Sequence, residues 1–256
     1  MHNFIFGIFP YIALSVMILG SIARYERDPF TWKTQSSQML RKRQFVIGSV
    51  LFHIGVLVIF LGHVAGLLLP AGLFYAFGIS AGAKQLMAII VGGAAGVAAL
   101  IGGAILLHRR LVDPRIRANS SVGDNAVLIL LVAQLVLGLA TVPLALGHLD
   151  GSEMLKFMAW AQGIITFKAG AAAHIVDVHP IFKLHIFLGL VLFLIVPFTR
   201  LAHIFSGMAV PFRYLFARKG YQIVRSRQGA KPVRTGPKPF ARDKRAQKPK
   251  APTPAE

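Results

Sequence analysis

Apolar residues in this chain arrive in long unbroken blocks, not at the two- or four-residue spacing of half-buried strands and helices. Five blocks are each long enough to cross roughly 30 Å of hydrocarbon as a helix of about 20 residues. They run from about Phe4 to Ile22, Phe45 to Leu69, Gln85 to Leu107, Ala126 to Leu146 and Ile181 to His203. The pattern predicts an all-α fold, an integral membrane bundle of five transmembrane helices. The first block follows no Lys or Arg, exceeds the length of a signal core and leads directly into basic residues, so it is expected to stay as a membrane span.

Composition sharpens this picture. The 256 residues are 55% hydrophobic and 14% charged, which argues against an ordinary soluble domain. Cysteine is absent, so this chain cannot supply disulfides, thiolate metal sites or iron–sulfur ligands. Basic residues gather in two connections: Arg24, Arg27, Lys33, Arg41, Lys42 and Arg43 between spans one and two, and Arg109, Arg110, Arg115 and Arg117 between spans three and four. The opposite loops hold Lys84, Lys156 and Lys168. Because Lys and Arg near span ends are retained in the cytoplasm, the N-terminus is expected outside and the C-terminus inside.

The only expected domain boundary falls near Phe212, giving a five-helix membrane domain over 1–211 and a cytoplasmic tail over 212–256. That tail has thirteen Lys or Arg against Asp243 and Glu256, with six prolines, and supplies much of the net +19. It cannot bury enough apolar surface to fold alone and is expected to lie on anionic headgroups. With no recognition element beside the charge, nucleic acid is not an expected partner. Between spans four and five, Ser152 and Glu153 precede Met154, Leu155, Phe157, Met158 and Trp160, the pattern of a short interfacial amphipathic helix. Glycines within the spans, such as Gly92, Gly93, Gly96, Gly102 and Gly103, are read as close-packing positions.

The candidate chemistry lies in the imidazoles. Ionisable side chains within a bilayer are costly and usually functional. His53 and His63 in span two are separated by roughly 15 Å along the helix and about 80° around it. His185 and His203, eighteen residues apart, fall on one line of a straight helix about 27 Å apart. Spans two and five are antiparallel, so His63 should face His185 at the outer side, and His53 should face His203 at the inner side. Facing imidazoles suit the two axial positions of haem iron, and two pairs imply two stacked haems carrying single electrons across the bilayer. A straight fifth span, however, leaves His203 nearer the inner surface than His53, a gap that tilt or a kink at Pro197 could close. Hydrogen bonding of each histidine to a neighbouring helix is the plainer alternative.

No HExxH or Glu-x-x-His pattern for zinc or di-iron occurs in the spans. His2, His108, His148, His174 and His179 sit at ends or in loops and are read as solvated. Arg110 could pair with a haem propionate, although positive-inside topology explains it equally, as it does Arg200. Lys84, at the outer start of span three, could donate a charged hydrogen bond to a quinone oxygen or simply extend to the headgroups. Gly62 removes bulk beside His63, which helix packing would also require.

Particular stretches carry a family resemblance: SSQML at 36–40, LFHIG at 51–55, GH at 62–63, KQ at 84–85, RR at 109–110, DGSEM at 150–154, WAQ at 160–162, and the LH and LAHI contexts of His185 and His203. From about Tyr11 through Arg225 the chain resembles the membrane cytochrome b, or gamma, subunit of respiratory nitrate reductase. The basic tail beyond Arg227 lies outside the match. The resemblance implies two haem b groups, a distal one on His63 and His185 and a proximal one on His53 and His203. It further implies quinol oxidation near Lys84 and Gly62, with protons released outside. Electrons would pass to a cytoplasmic iron–sulfur subunit and then to a molybdenum catalytic subunit, from a multi-pass protein of the bacterial or archaeal inner membrane. The same architecture serves sulfite-reduction complexes, and this chain does not name the terminal acceptor. A proton-coupled transporter using histidine relays is the alternative from another class, but the paired repeats and broken midplane helices of transporters are not evident.

Overall fold

The computed structural model describes residues 1–27 and 40–205. The first four residues of SSQML, Lys33 and the expected tail over 212–256 lie outside them. Among the described residues, five helices are long and apolar enough to cross a membrane: Phe4–Arg27, Lys42–Leu68, Ala81–Val112, Val122–Leu146 and Pro180–Phe198. Each expected span is present, and most extend a turn or so beyond the apolar block because polar residues outside the hydrocarbon continue the helix.

A π turn at Phe4–Ile8 leads into α1, Phe9–Arg27. Helix α2 spans Lys42–His63 and closes with a π turn at Val64–Leu68. The short α3, Ala71–Ala76, and α4, Ala81–Met87, follow; a π turn at Ala88–Gly92 joins α4 to α5, Gly93–Val112. Then come α6 (Pro114–Ala118), α7 (Val122–Leu146), α8 (Ser152–Ile165) and α9 (Pro180–Ile195). Starts are set by local chemistry. Ser80 caps α4 through Ala83 N, and Ser121 and Asp124 form a reciprocal capping box on α7.

Helix α2 packs on α5, α5 on α7, α7 on α9, and α9 on α1. The α2–α5 seam is a backbone-to-backbone approach. A Cβ on Gly102 would stand 2.4 Å from Phe52 N, and one on Gly55 would stand 2.5 Å from Ala95 O. Phe52 lies over Gly103, filling the space that the missing side chain leaves. Many other large apolar side chains of the spans, such as Leu19, Leu57, Leu61 and Ile90, remain exposed, as expected where lipid is the solvent.

Two buried clusters sit at opposite ends of the bundle. One joins Phe6, Trp160, Ile164, Ile175 and Val178, fastened by Trp160 Nε1 donating to Phe6 O at 2.9 Å. Helix α8 is therefore half-embedded against the bundle, and its buried face includes Met158 and Ala161 as well as Trp160. The other cluster joins Val127, Leu192, Val196 and Leu201.

Near that second end, Arg41 Nε donates to Asp113 Oδ2 at 2.6 Å, and Asp113 Oδ1 caps α6 by accepting from Arg115 N and Ile116 N. The Arg41 hydrogen bond holds the Asp113 carboxyl below the usual carboxylate range. A depressed folded-state pKa contributes stability above the unfolded value of ~3.9 and loses it as pH falls through the folded value. Asp113→Ala is therefore expected to lower the melting temperature in detergent at pH 7, with the deficit against wild type narrowing below about pH 4.

The fifth span is not one straight helix to His203; it breaks at Pro197, the candidate position for a kink. Helix α9 ends at Ile195, and the chain continues through one-turn 3₁₀ segments at Val196–Phe198 and Arg200–Ala202 with an extended Thr199 between them. Pro197 cannot donate to the helix ladder, which ends it there. The freed carbonyls of Pro197 and Thr199 accept from Arg24 Nη1 at 2.9 and 2.7 Å. His185 and His203 consequently do not share one helical line.

Candidate functional site

This break brings His203 to His53. Their ring centres are 6.3 Å apart with planes at 68°. Towards the other end of the bundle, the centres of His63 and His185 are 6.1 Å apart with planes at 40°. The structure thus brings together both pairs anticipated from sidedness, drawing one member from α2 and the other from α9 or the turns beyond it.

The separations have chemical meaning. A five-membered ring with ~1.3–1.4 Å bonds has its centre about 1.15 Å from each atom, and a metal–imidazole bond is about 2.0–2.1 Å. Two imidazoles on opposite sides of one metal therefore have ring centres about 6.3–6.5 Å apart, close to both observed separations. Direct hydrogen bonding would not hold both pairs at this spacing. Among the described residues, no group of three or more His, Cys, Asp or Glu gathers as a metal site, so each pair is a two-ligand arrangement. That fits a macrocyclic metal whose remaining ligands come from the cofactor.

The orientation of the rings agrees. His53 Nδ1 lies 2.7 Å from Ser49 O, His63 Nδ1 lies 2.8 Å from Ile59 O, and His203 Nδ1 lies 2.6 Å from Arg200 O. A carbonyl only accepts, so in each ring Nδ1 is the donor, which leaves Nε2 as the nitrogen able to bind a metal. His185 differs, since its Nδ1 is buried without a partner. Gly138 on α7 makes room for that ring, because a Cβ there would lie 3.0 Å from His185 Cε1. Around Gly62, a Cβ would meet nothing within 4 Å, so space does exist beside His63.

The turn carrying His203 is anchored from α7. Arg200 pairs with the Asp124 carboxylate, Nε to Oδ1 at 2.7 Å, while its own carbonyl accepts from His203. Arg110 Nη1 donates to Asp124 O at 2.9 Å. The two arginines therefore meet one residue, Arg200 at its carboxylate and Arg110 at its main-chain carbonyl, leaving this corner with excess positive charge.

Lys84 does not extend to the headgroups, the alternative to a quinone contact. It is only 5% exposed. Its ammonium donates to Gly66 O at 2.7 Å and to Met158 Sδ at 3.0 Å, and it lies 3.9 Å above the Phe74 ring. The cause is local: the last carbonyls of a helix have no partner within it. Lys84 takes that of Gly66, and Gln162 Nε2 takes those of Leu67 and Leu69, each at 3.1 Å. Lys84 forms no ion pair among the described residues, and the carbonyl it holds belongs to Gly66, three residues after His63. A cleft over it, lined by Phe74, Tyr75, Ser80, Met154 and Met158 among others, has only about 10 Å³ of free interior. That holds one water at most.

The other histidines stay outside these pairs. His2 Nε2 meets Ala172 O, His148 Nδ1 meets Leu144 O, and His179 Nδ1 caps α9 by accepting from Ile181 N. His108 and His174 are exposed. Gln134 escaped the sequence reading altogether, whereas Met158 and Gln162 were noted only within the interfacial helix and the WAQ stretch, without these contacts. Gln134 was the most findable, as a lone amide in the middle of the apolar run VLILLVAQLVLGLA.

Comparison with known proteins places this arrangement. The nitrate reductase gamma subunit family model matches residues 2–227. The chain is 49% identical over 228 residues to the respiratory nitrate reductase 2 gamma chain of Escherichia coli strain K12, covering 89% of this chain and 98% of that one. It is 48% identical to the respiratory nitrate reductase 1 gamma chain of the same organism, covering 89% and 98%. Identity to the nitrate reductase gamma chain of Bacillus subtilis strain 168 is 39%, covering 87% and 97%. With five membrane-length helices matching nearly end to end along these relatives, the chain belongs to the nitrate reductase gamma subunit family.

Proposed function

We propose that this chain is the quinol-oxidising dihaem cytochrome b subunit of a respiratory nitrate reductase. The reading rests chiefly on one observation: two imidazole pairs at 6.1 and 6.3 Å, the spacing of rings on opposite sides of a metal. His63 and His185 hold one haem b, His53 and His203 the other, and Arg110 neutralises a propionate at the second. Bound between such pairs, haem iron supplies reversible one-electron transfer. Purified chain should give two b-type haems in a pyridine haemochrome assay and a reduced-minus-oxidised spectrum. A folded, fully supplied preparation without haem would return the histidines to packing or proton-relay roles.

Quinol is oxidised beside His63. Lys84 holds a quinol oxygen with an ammonium hydrogen bond, exchanging its weak contact to Met158 Sδ for the substrate, and Gly62 leaves room for the ring. Because the cleft is too small for a quinone, α3 and α8 must separate to admit it. Charge-assisted hydrogen bonds contribute about 1.5–3 kcal/mol, so Lys84→Met should lower quinol-dependent electron transfer by roughly 10–100-fold. Its haem content should stay at two per chain.

The N-terminus lies outside and the basic end of the bundle faces the cytoplasm, in the inner membrane, where an iron–sulfur subunit and a molybdenum catalytic subunit receive the electrons. Support comes from charge: Arg24, Arg27, Arg41, Arg43, Arg115 and Arg117 mark one end, whereas at the other Lys84 is buried and Lys156 is paired with Glu153. The segment over 212–256 serves as a cytoplasmic tail lying on anionic lipid. A cysteine-free chain makes the orientation easy to test. In right-side-out vesicles, Phe77→Cys should react with an impermeant maleimide and Ser120→Cys should not; the reverse pattern would invert the topology.

A further inference from the structure

The four paired imidazoles are not held alike. His53 and His63 lie within α2, each with Nδ1 on the carbonyl four residues earlier, and His185 lies within α9, where Gln134 Nε2 takes its main-chain carbonyl at 3.1 Å. An unbroken helix fixes the place of these three. His203 instead follows the break at 196–202, and its Nδ1 turns to the carbonyl of Arg200, three residues earlier. No continuous helix joins it to α9, so contacts from other helices set where its ring stands.

One such hold, from Asp124 on α7, acts on the Arg200 side chain. The other, from α1, acts on the backbone itself. Arg24 Nη1 donates to Pro197 O at 2.9 Å and to Thr199 O at 2.7 Å. Within the break, the bond from Ala202 N to Thr199 O is 3.5 Å long, so Arg24 is the stronger partner of that carbonyl. Thr199 O belongs to the peptide that enters Arg200, and the next peptide supplies the carbonyl that takes His203 Nδ1. Fixing the first plane therefore aims the acceptor of the ring.

Gly20, one turn before Arg24, lets α1 come this near. A Cβ there would stand 2.8 Å from Pro197 Cγ, in a ring that cannot rotate away. Retention of charge at the end of α1 asks for a basic residue, but not for a glycine against the proline or for two carbonyls on one nitrogen.

We infer that Arg24 is a positioning residue of His203, holding the broken end of the fifth span so that this imidazole meets His53 across one metal. The inference rests on the haem reading proposed above. Removing a group that orients a metal ligand typically costs about 10–100-fold in metal affinity or activity. Here the loss should fall on one axial bond. Iron with both axial positions filled by imidazole has no place for carbon monoxide, whereas iron that has lost one imidazole has.

The test is carbon monoxide binding to purified, reduced, haem-loaded chain, wild type against Arg24→Leu, Arg24→Lys and Gly20→Val, with His203→Ala marking the haem concerned. Wild type should bind none. Arg24→Leu should bind it at up to one haem per chain, the one missing from His203→Ala. Arg24→Lys, whose ammonium still offers donors to both carbonyls, should bind less. Gly20→Val keeps the charge and should open the same haem. A closed iron in Arg24→Leu, a shift in its potential without carbon monoxide binding, equal opening of both haems, or Arg24→Lys as open as Arg24→Leu would overturn the role. If His203→Ala retains both haems, the ligation reading fails first and this inference falls with it. Two haems in wild type, one lost in His203→Ala and none opened in Arg24→Leu would overturn the positioning role alone.

Discussion

His63→Ala and His185→Ala are each expected to reduce the haem complement from two per chain to one and to stop quinol oxidation. His53→Ala and His203→Ala should also leave one haem, but quinol can still reach the site beside Lys84 while electrons cannot leave. Loss of a group that merely supports a metal ligand costs about 10–100-fold, so loss of the ligand itself should lower turnover by more than about 100-fold. Spectra of the four variants should fall into two classes. Partners in a pair share a class because each ring faces one other, at 6.1 or 6.3 Å. If His53→Ala and His185→Ala retained the same haem, the pairing would be wrong.

Gly102→Val should have a comparably large effect by a different route. Its Cβ would stand 2.4 Å from Phe52 N and 2.6 Å from Gly48 O, and main-chain atoms cannot rotate away. Overpacking typically costs ~1–3 kcal/mol, and a collision with two backbone atoms belongs at or above the upper end. Against a total stability of about 5–15 kcal/mol, accumulation in the membrane should fall sharply. Helix α2 carries both His53 and His63, so the remaining protein should lose both haems together, unlike the histidine variants. Gly93→Ala is the control: nothing lies within 4 Å of its Cβ, and alanine favours the helix by about 1 kcal/mol. Protein yield and haem per chain measured together would separate the two modes.

The five spans were legible because the bilayer imposes a length on each apolar block, and that length survives in sequence without any knowledge of neighbours. The histidine pairs were legible for the same reason, since antiparallel direction alone decides which end each imidazole occupies. The end of α9 was not. Val196, Pro197 and Phe198 prolong the apolar run, and Pro197 alone hinted that the helix stops; that Arg24 would gather the freed carbonyls depends on α1 lying alongside. The burial of Lys84 was not legible either. Its burial follows from the open carbonyl of Gly66 and the thioether of Met158, 18 and 74 residues away. Gln134 was passed over because an amide within a span carries no spacing that names its partner.

The hold of Arg24 on Pro197 and Thr199 also bears on biogenesis. Each imidazole pair joins a helix made early to a segment made much later, so neither is complete while the ribosome is still working through the intervening chain. At ~5–20 residues per second, the rings of α2 wait on the order of ten seconds for their partners. The final turn then takes its shape from an arginine on the first helix to enter the membrane. On the proposed ligation, neither pair can hold a cofactor before the bundle has closed.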